Sequence, residues 1–245
     1  MAKRRASFPD SNGRILWEGP SAFDGTPIVV IVTGLTKRSA NGKTGDELQT
    51  WILRADAKPH HAAKDGRSSA VCGDCPHQPS RNNTCYVRTY QAPLSIWECY
   101  QRGNYPRFDA NRDLPLISSR VLRLGSYGDP AMAPVEVWAP LLAASSAHTG
   151  YTHQWRQEWA APYRGLLQAS CDGMADYIDA TAHGWRTFLV KPANEAAPAG
   201  TVHCAASEEK GRKTTCAQCH LCDGASANVV INGHGSRGTK LEFVN

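Results

Sequence analysis

GLLQASCDGMADYIDATAHGWRTFLVKP (165–192) is the stretch that decides the fold. GLLQASCD (165–172) reads as a strand, MADYIDATAHG (174–184) as a helix ended by Gly184, and WRTFLVKP (185–192) as a second strand. Strand, helix and strand joined by short connections make a β-α-β unit, and the two strands of such a unit run parallel. The rhythm continues on both sides. RVLRLGSYGDP (120–130) reads as a strand ending in a Gly/Asp/Pro break, and VEVWAPLLAASSA (135–147) as mostly helical with Pro140 kinking or interrupting it. TGYTHQW (149–155), TVHCAAS (201–207) and NVVINGHG (228–235) read as further strands. The expectation is an α/β fold of barrel-like β-α units, a partial or full TIM-type barrel. In such barrels chemistry sits where the strands end. Those ends are Gly125-Ser126-Tyr127-Gly128-Asp129, Thr152-His153, Ser170-Cys171-Asp172, Lys191 and His203-Cys204.

The N-terminal half has a different texture. Residues 1–25 are polar with Pro and Gly punctuation and read as an irregular arm. TPIVVIVTGL (26–35) is a β-branched strand, SANGKTGDE (39–47) is turn chemistry, and LQTWILR (48–54) returns, so a hairpin is expected. A loop rich in Gly, Pro, Ser and Asn follows (66–84), then a short helix from Pro93 to Gly103. The expected organisation is an arm (1–25), a hairpin and cysteine-rich region (26–118) and a barrel-like region with a C-terminal cysteine cluster (119–245), the last two forming one compact unit.

The chain has 245 residues, 41% of them hydrophobic, enough to bury a core without disulfide staples. No apolar run is long enough to span a membrane, and the basic start MAKRRASFPDSNGR has no apolar region behind it. The expectation is a cytoplasmic protein. Its thiols then stay reduced, and the odd total of nine cysteines agrees with that. The net charge of +5 permits contact with nucleic acid without demanding it.

Cys204, Cys216, Cys219 and Cys222 fall in TVHCAASEEKGRKTTCAQCHLCDG. The C-x2-C-x2-C run turns the chain between thiols so that they face one point, and Cys204 is the natural fourth ligand. A [4Fe–4S] cluster fits this run better than zinc, which more often takes two separated CxxC knuckles; zinc stays the alternative. His220 is a spare donor. Upstream, Cys72, Cys75 and Cys85 form a second set, with His77, Cys99 or an exogenous group as fourth ligand. That set holds a second metal or contributes to the same one. Cys171 reads as a buried apolar thiol. Asp129 and His153 are candidate cofactor-binding residues; a helix-capping role for Asp129 and a hydrogen-bonded core role for His153 stand beside that reading. Aromatic and basic residues mix in YVRTYQ, WECYQRGNYPRF and THQWRQEW, a pattern that stacks bases or packs a core beside surface arginines.

NGKTG (41–45), CGDCPH (72–77) with CYV (85–87), RLGSYGDP (123–130), TGYTHQW (149–155), CAQCHLC (216–222) and NGHG (232–235) together resemble an uncharacterised family of phage- and plasmid-borne proteins, the gene-88-like proteins. The resemblance implies a mobile-element protein with a cysteine-bound cofactor, at work in the host cytoplasm. It supplies no activity. The barrel rhythm is also similar to that of radical enzymes that cleave S-adenosylmethionine, but their C-x3-C-x2-C motif is missing. The expected function is iron–sulfur binding with redox or radical chemistry. The alternative is a non-catalytic zinc protein acting on nucleic acid or a host protein.

Overall fold

A computed structural model describes residues 11–39, 41–211 and 213–233. Its frame is one nine-stranded sheet: β1 (Gly13–Pro20), β2 (Pro27–Thr33), β3 (Leu48–Arg54), β4 (Val121–Tyr127), β5 (Ala147–Thr152), β6 (Gln168–Cys171), β7 (Thr187–Lys191), β8 (Thr201–His203) and β9 (Asn228–Asn232). The spatial order is β1-β2-β3-β4-β5-β6-β7-β9-β8. The expected hairpin is present: β2 and β3 pair antiparallel, with β1 antiparallel on the far side of β2. From β3 onward every pairing is parallel.

Ile28 to Val32 are at most 1% exposed, so β2 is covered on both faces. Its β-branched residues suit that position, and each buried side chain of this kind contributes about 1.5–3 kcal/mol. Strands β3 to β7 follow one another in space as in sequence, each parallel connection stepping one place along the sheet. Their C-terminal ends therefore share one edge. The long connection between β3 and β4 carries α1 (Pro59–Lys64), α2 (Ser69–Cys72), α3 (Ala92–Gln101) and α4 (Ala110–Ile117). Helix α5 (Ala139–Ala144) links β4 to β5, and α6 (Met174–Ala182) links β6 to β7. Helix α7 (Cys216–Cys219) lies between β8 and β9.

Three expectations need correction. The sheet is open: β1 and β8 are its edges, and among the described residues no ladder joins them, so a full barrel is not seen. Residues 13–20, read as part of an arm, are a strand pinned to β2 along its length. The stretch 135–147 is not one helix: a 3-10 turn (Val135–Val137) precedes α5, and Pro140 sits in the first turn of α5, where its missing N–H costs nothing. Residues 1–10, and His234 and Gly235 of the NGHG segment, lie outside the described residues. Among the described residues no helix is long and apolar enough to cross a membrane.

Two cores result. The larger packs Leu122, Leu124, Ala169, Cys171 and Leu189 with Leu141 of α5 and Ala180 of α6. The smaller lies on the other face of β5, β7 and β9 and contains Tyr151, Phe188, Val190, Val229 and Ile231 together with Cys204, Cys216, Cys222 and Leu221. The C-terminal cysteine segment therefore covers the sheet face opposite α6.

Two candidate metal centres

The C-terminal quartet is held by backbone bonds to the sheet. Cys204 N–H donates to Val230 O (2.9 Å), and Gly150 N–H donates to Cys222 O (2.9 Å). Gln168 Nε2 donates to Leu221 O (3.2 Å) and Ala227 O (2.7 Å). Cys216 and Ala217 donate to Lys43 O and Thr44 O (2.9 Å each), so the NGKTG turn docks on α7. Gly45 permits that approach: its φ is +70°, and a Cβ there would lie 2.9 Å from Thr215 Oγ1. A capping box of Thr215 and Gln218 starts α7, and His220, at φ +57°, turns the chain so that Cys222 returns toward the sheet. His220 is tied to its own turn, its Nε2 lying 2.5 Å from Ala217 O.

The quartet's sulfurs interact electrostatically. Burial pushes the Cys222 thiol up, and Cys204, Cys216 and Cys219 push it further, while the Tyr151 hydroxyl donates to its sulfur and opposes them. Burial, and then Glu47, push Cys216 to about 11. Without a metal Cys216 and Cys222 stay protonated; a bound metal would take them as thiolates and release the protons. No three of the four sulfurs lie within 4.8 Å of one another.

The upstream set is built on α2 and the loop behind it. Cys72 ends α2, Cys75 N–H donates to Cys72 O (3.1 Å), and Cys85 N–H donates to His77 O (2.9 Å), which folds Cys85 back toward the other two. Gln78, 3% exposed, staples the loop from inside through Gly73 O (2.7 Å), Cys75 O (3.2 Å) and Ser68 Oγ (2.7 Å). Gln154 ties it to the end of β5 by donating to Cys72 O (3.2 Å) and accepting from Asp74 N–H (3.2 Å). Burial holds the Cys72 thiol well above its ordinary range, and Cys75 and Cys85 add to the effect. Cys99 is not with them; it lies on α3 beside Arg102 and Tyr105.

Against this loop stands a polar triad. Asp172, just after β6, faces His77 Nε2 at 2.9 Å and His153 Nε2 at 3.3 Å. The Nδ1 of His77 is 2.6 Å from Thr84 Oγ1, which fixes that ring. Burial opposes charge on both His153 and Asp172, but their mutual attraction outweighs it. Cys75 and Asp172 hold His153 well above its ordinary range, and the two histidines hold Asp172 well below its own. The donor atoms of His77, His153 and Asp172 lie within 4.8 Å of one another, close enough to hold one metal ion.

Asp129 is engaged within the fold through three hydrogen bonds. One carboxylate oxygen caps a short 3-10 turn through Ala131 N–H (3.0 Å), and the other accepts from Thr152 Oγ1 (3.0 Å) and His153 N–H (2.9 Å). It thereby positions the His153 backbone. In an unbroken strand Tyr151 and His153 would share a face; β5 stops at Thr152, so Tyr151 reaches Cys222 while His153 turns to Asp172. Cys171 is a buried thiol near Ala169 O, as read. No sequence motif marks Asp172, Arg123 or Glu47, although Asp172 stands at the end of a predicted strand. The aromatic segments divide. Trp97 donates to Arg54 O, Tyr100 to Glu18 and Trp155 to Ser170 O, all within the fold, whereas Tyr86 and Tyr90 are 79% and 57% exposed.

No family model, no curated protein and no solved structure matches this chain.

Proposed function

We propose that this chain is an iron–sulfur protein whose quartet Cys204, Cys216, Cys219 and Cys222 binds a [4Fe–4S] cluster, in line with the gene-88-like resemblance. One observation carries the reading. Cys204, Cys216 and Cys222 are brought to one sheet face and Cys219 lies near enough to act on Cys222, yet no three sulfurs of the quartet lie within 4.8 Å of one another. A single tetrahedral zinc with Zn–S bonds of about 2.3 Å draws its sulfurs to roughly 3.8 Å apart. A cube of iron and sulfide sets its four thiolates wider apart than that, which supports a cluster over a single zinc. The cofactor would supply one-electron chemistry, and Tyr151 would tune it by donating to the Cys222 sulfur.

The upstream set, Cys72, Cys75 and Cys85, with the His77–His153–Asp172 triad beside it, offers a second centre. Its three cysteines leave room for a fourth ligand from His153 or from a bound molecule. The test is spectroscopic. Protein purified without oxygen should be brown, with a broad visible charge-transfer band that bleaches on reduction with dithionite. Colourless protein carrying zinc would refute the assignment.

A second reading has one observation in its favour. Tyr86 and Tyr90 stand exposed in a loop that also carries Arg81 and Arg88, the arrangement of an aromatic platform for single-stranded nucleic acid. It predicts binding to a fluorescent oligonucleotide that weakens steeply with salt and is lost in Tyr86→Ala/Tyr90→Ala. Binding unchanged by that double substitution would remove it.

A further inference from the structure

We propose that the sheet face between the two cysteine groups binds a small organic anion, with its carboxylate or phosphate group seated on Arg123. Arg123 stands on β4 between Leu122 and Leu124, which are 0% and 1% exposed and belong to the main core. Its own side chain points to the opposite face, in register with Gln49 on β3 and Thr149 on β5. A part-buried guanidinium costs free energy unless it is paired. The other buried and part-buried arginines among the described residues are paired: Arg14 with Asp113 at 2.8 Å, Arg54 with Asp56 at 2.8 Å and Arg120 with Asp46 at 2.9 Å. Arg123 has no described carboxylate within 4.0 Å. Its nearest partners are the Tyr86 hydroxyl at 3.5 Å and the Tyr151 ring, whose centroid is 5.9 Å away.

Its place between the two groups is defined by those neighbours. Tyr86 follows Cys85 directly in the chain. Tyr151 donates to Cys222, and the guanidinium also feels Cys216 and Glu47. Two further buried groups lack partners. Glu47 is 0% exposed; its Oε1 accepts from Thr149 (3.0 Å), but its Oε2 has no hydrogen-bond partner. The Tyr127 hydroxyl, on a residue 5% exposed, faces Cys72 and Cys85 and also has none. Buried polar groups are ordinarily satisfied, so a cation with no carboxylate in pairing distance and an open carboxylate oxygen near it mark a place prepared for a polar molecule.

The chemistry selects its class. A guanidinium fork takes the two oxygens of a carboxylate or phosphate side by side. Glu47 Oε2 offers an acceptor to an amine or hydroxyl on the same molecule. The ligand is thus a small compound with an oxyanion and a hydrogen-bond donor. The inference rests on the metal-centre reading for what the bound molecule is there to do, not for how it binds. The rival explanation is that Arg123 only offsets thiolate charge at Cys216.

The test uses the full chain and phenylglyoxal, with modified arginines mapped by peptide mass spectrometry. Phenyl phosphate and benzoate are the probes, and Arg38, whose side chain is 80% exposed, is the internal reference. At about 10 mM probe, modification of Arg123 should slow roughly tenfold, corresponding to a dissociation constant of about 1 mM, while Arg38 is unaffected. Protection by both probes supports a carboxylate or a phosphate ligand; protection by phenyl phosphate alone narrows it to phosphate esters. An Arg123 that reacts equally with and without both probes, or stays unreactive while Arg38 is consumed, overturns the proposal. Arg123→Gln should keep the metal content of the parent; loss of metal without any probe protection in the parent assigns Arg123 to charge balance. Metal and sulfide are measured on the same samples. Protection without metal would refute the cluster and leave the anion site standing, and metal without protection would do the reverse.

Discussion

Replacing Asp129 tests whether this carboxylate is a structural clamp. It is 8% exposed and accepts from Ala131 N–H, Thr152 Oγ1 and His153 N–H at 2.9–3.0 Å. In Asp129→Ala three donors lose their acceptor, at about 1–3 kcal/mol each when buried. Removing the carboxylate also relieves the cost of burying its charge, which offsets several kcal/mol of that loss. The expected net loss is about 3 kcal/mol, equivalent to a fall of roughly 6–12 °C in Tm for a chain of this size. Asp129→Asn keeps a competent cap, since Asn caps helices as well as Asp, but its amide must turn a donor toward one set of donors. It should lose about half as much. Urea unfolding followed by tryptophan fluorescence gives both values. The reasoning fails if Asp129→Ala lies within about 0.5 kcal/mol of the parent, as an ordinary surface change would. It fails differently if Asp129→Asn is fully stable yet loses metal, because Asp129 would then be a ligand.

Asp113→Ala should cost about 3–5 kcal/mol, because it strips the 2.8 Å partner from Arg14, which is 1% exposed. Burial opposes the Asp113 charge, but Arg112, the Asp109 backbone N–H and Arg14 together hold its pKa below the usual carboxylate range. Its contribution is therefore complete above about pH 4 and fades as pH falls through the lowered native value, so the gap between parent and variant in urea midpoints should shrink only in strong acid. Gly128→Ala should destabilise by about 2–3 kcal/mol; φ there is +80° and a Cβ would sit 2.6 Å from Ile52 O. A Tm within 2 °C of the parent would contradict that geometry. Single Ser substitutions of Cys204, Cys216, Cys219 or Cys222 should each diminish the visible band, whereas Cys99→Ser, beside Arg102 and Tyr105, should leave it intact; equal effects would break the quartet assignment.

The strands were legible where side-chain chemistry is local. PIVVIVT (27–33) and TFLVK (187–191) carry β-branched and apolar runs, and the Gly/Asp/Pro break after Tyr127 marks the end of β4. Strand β1 was not, because GRILWEGP is a short run flanked by turn residues and its identity depends on pairing with β2. Whether the sheet closes depends on how its edges meet, which no local pattern encodes. The cysteine spacing alone pointed to the C-terminal segment, and the sheet brings Cys204, Cys216 and Cys222 of it to one face. The triad was not, since His77, His153 and Asp172 are far apart in sequence and meet only because the loop after α2 folds over the ends of β5 and β6. Arg123 did leave a signal: a charged residue between two leucines in a strand with apolar neighbours must find a polar purpose on its own face.

Metal and acid-labile sulfide, counted on protein purified without oxygen, test the central claim most directly. The account predicts iron and sulfide in equal amounts, at least about four of each per chain, falling sharply when the four C-terminal cysteines are replaced together. Stoichiometric zinc with neither iron nor sulfide would contradict it.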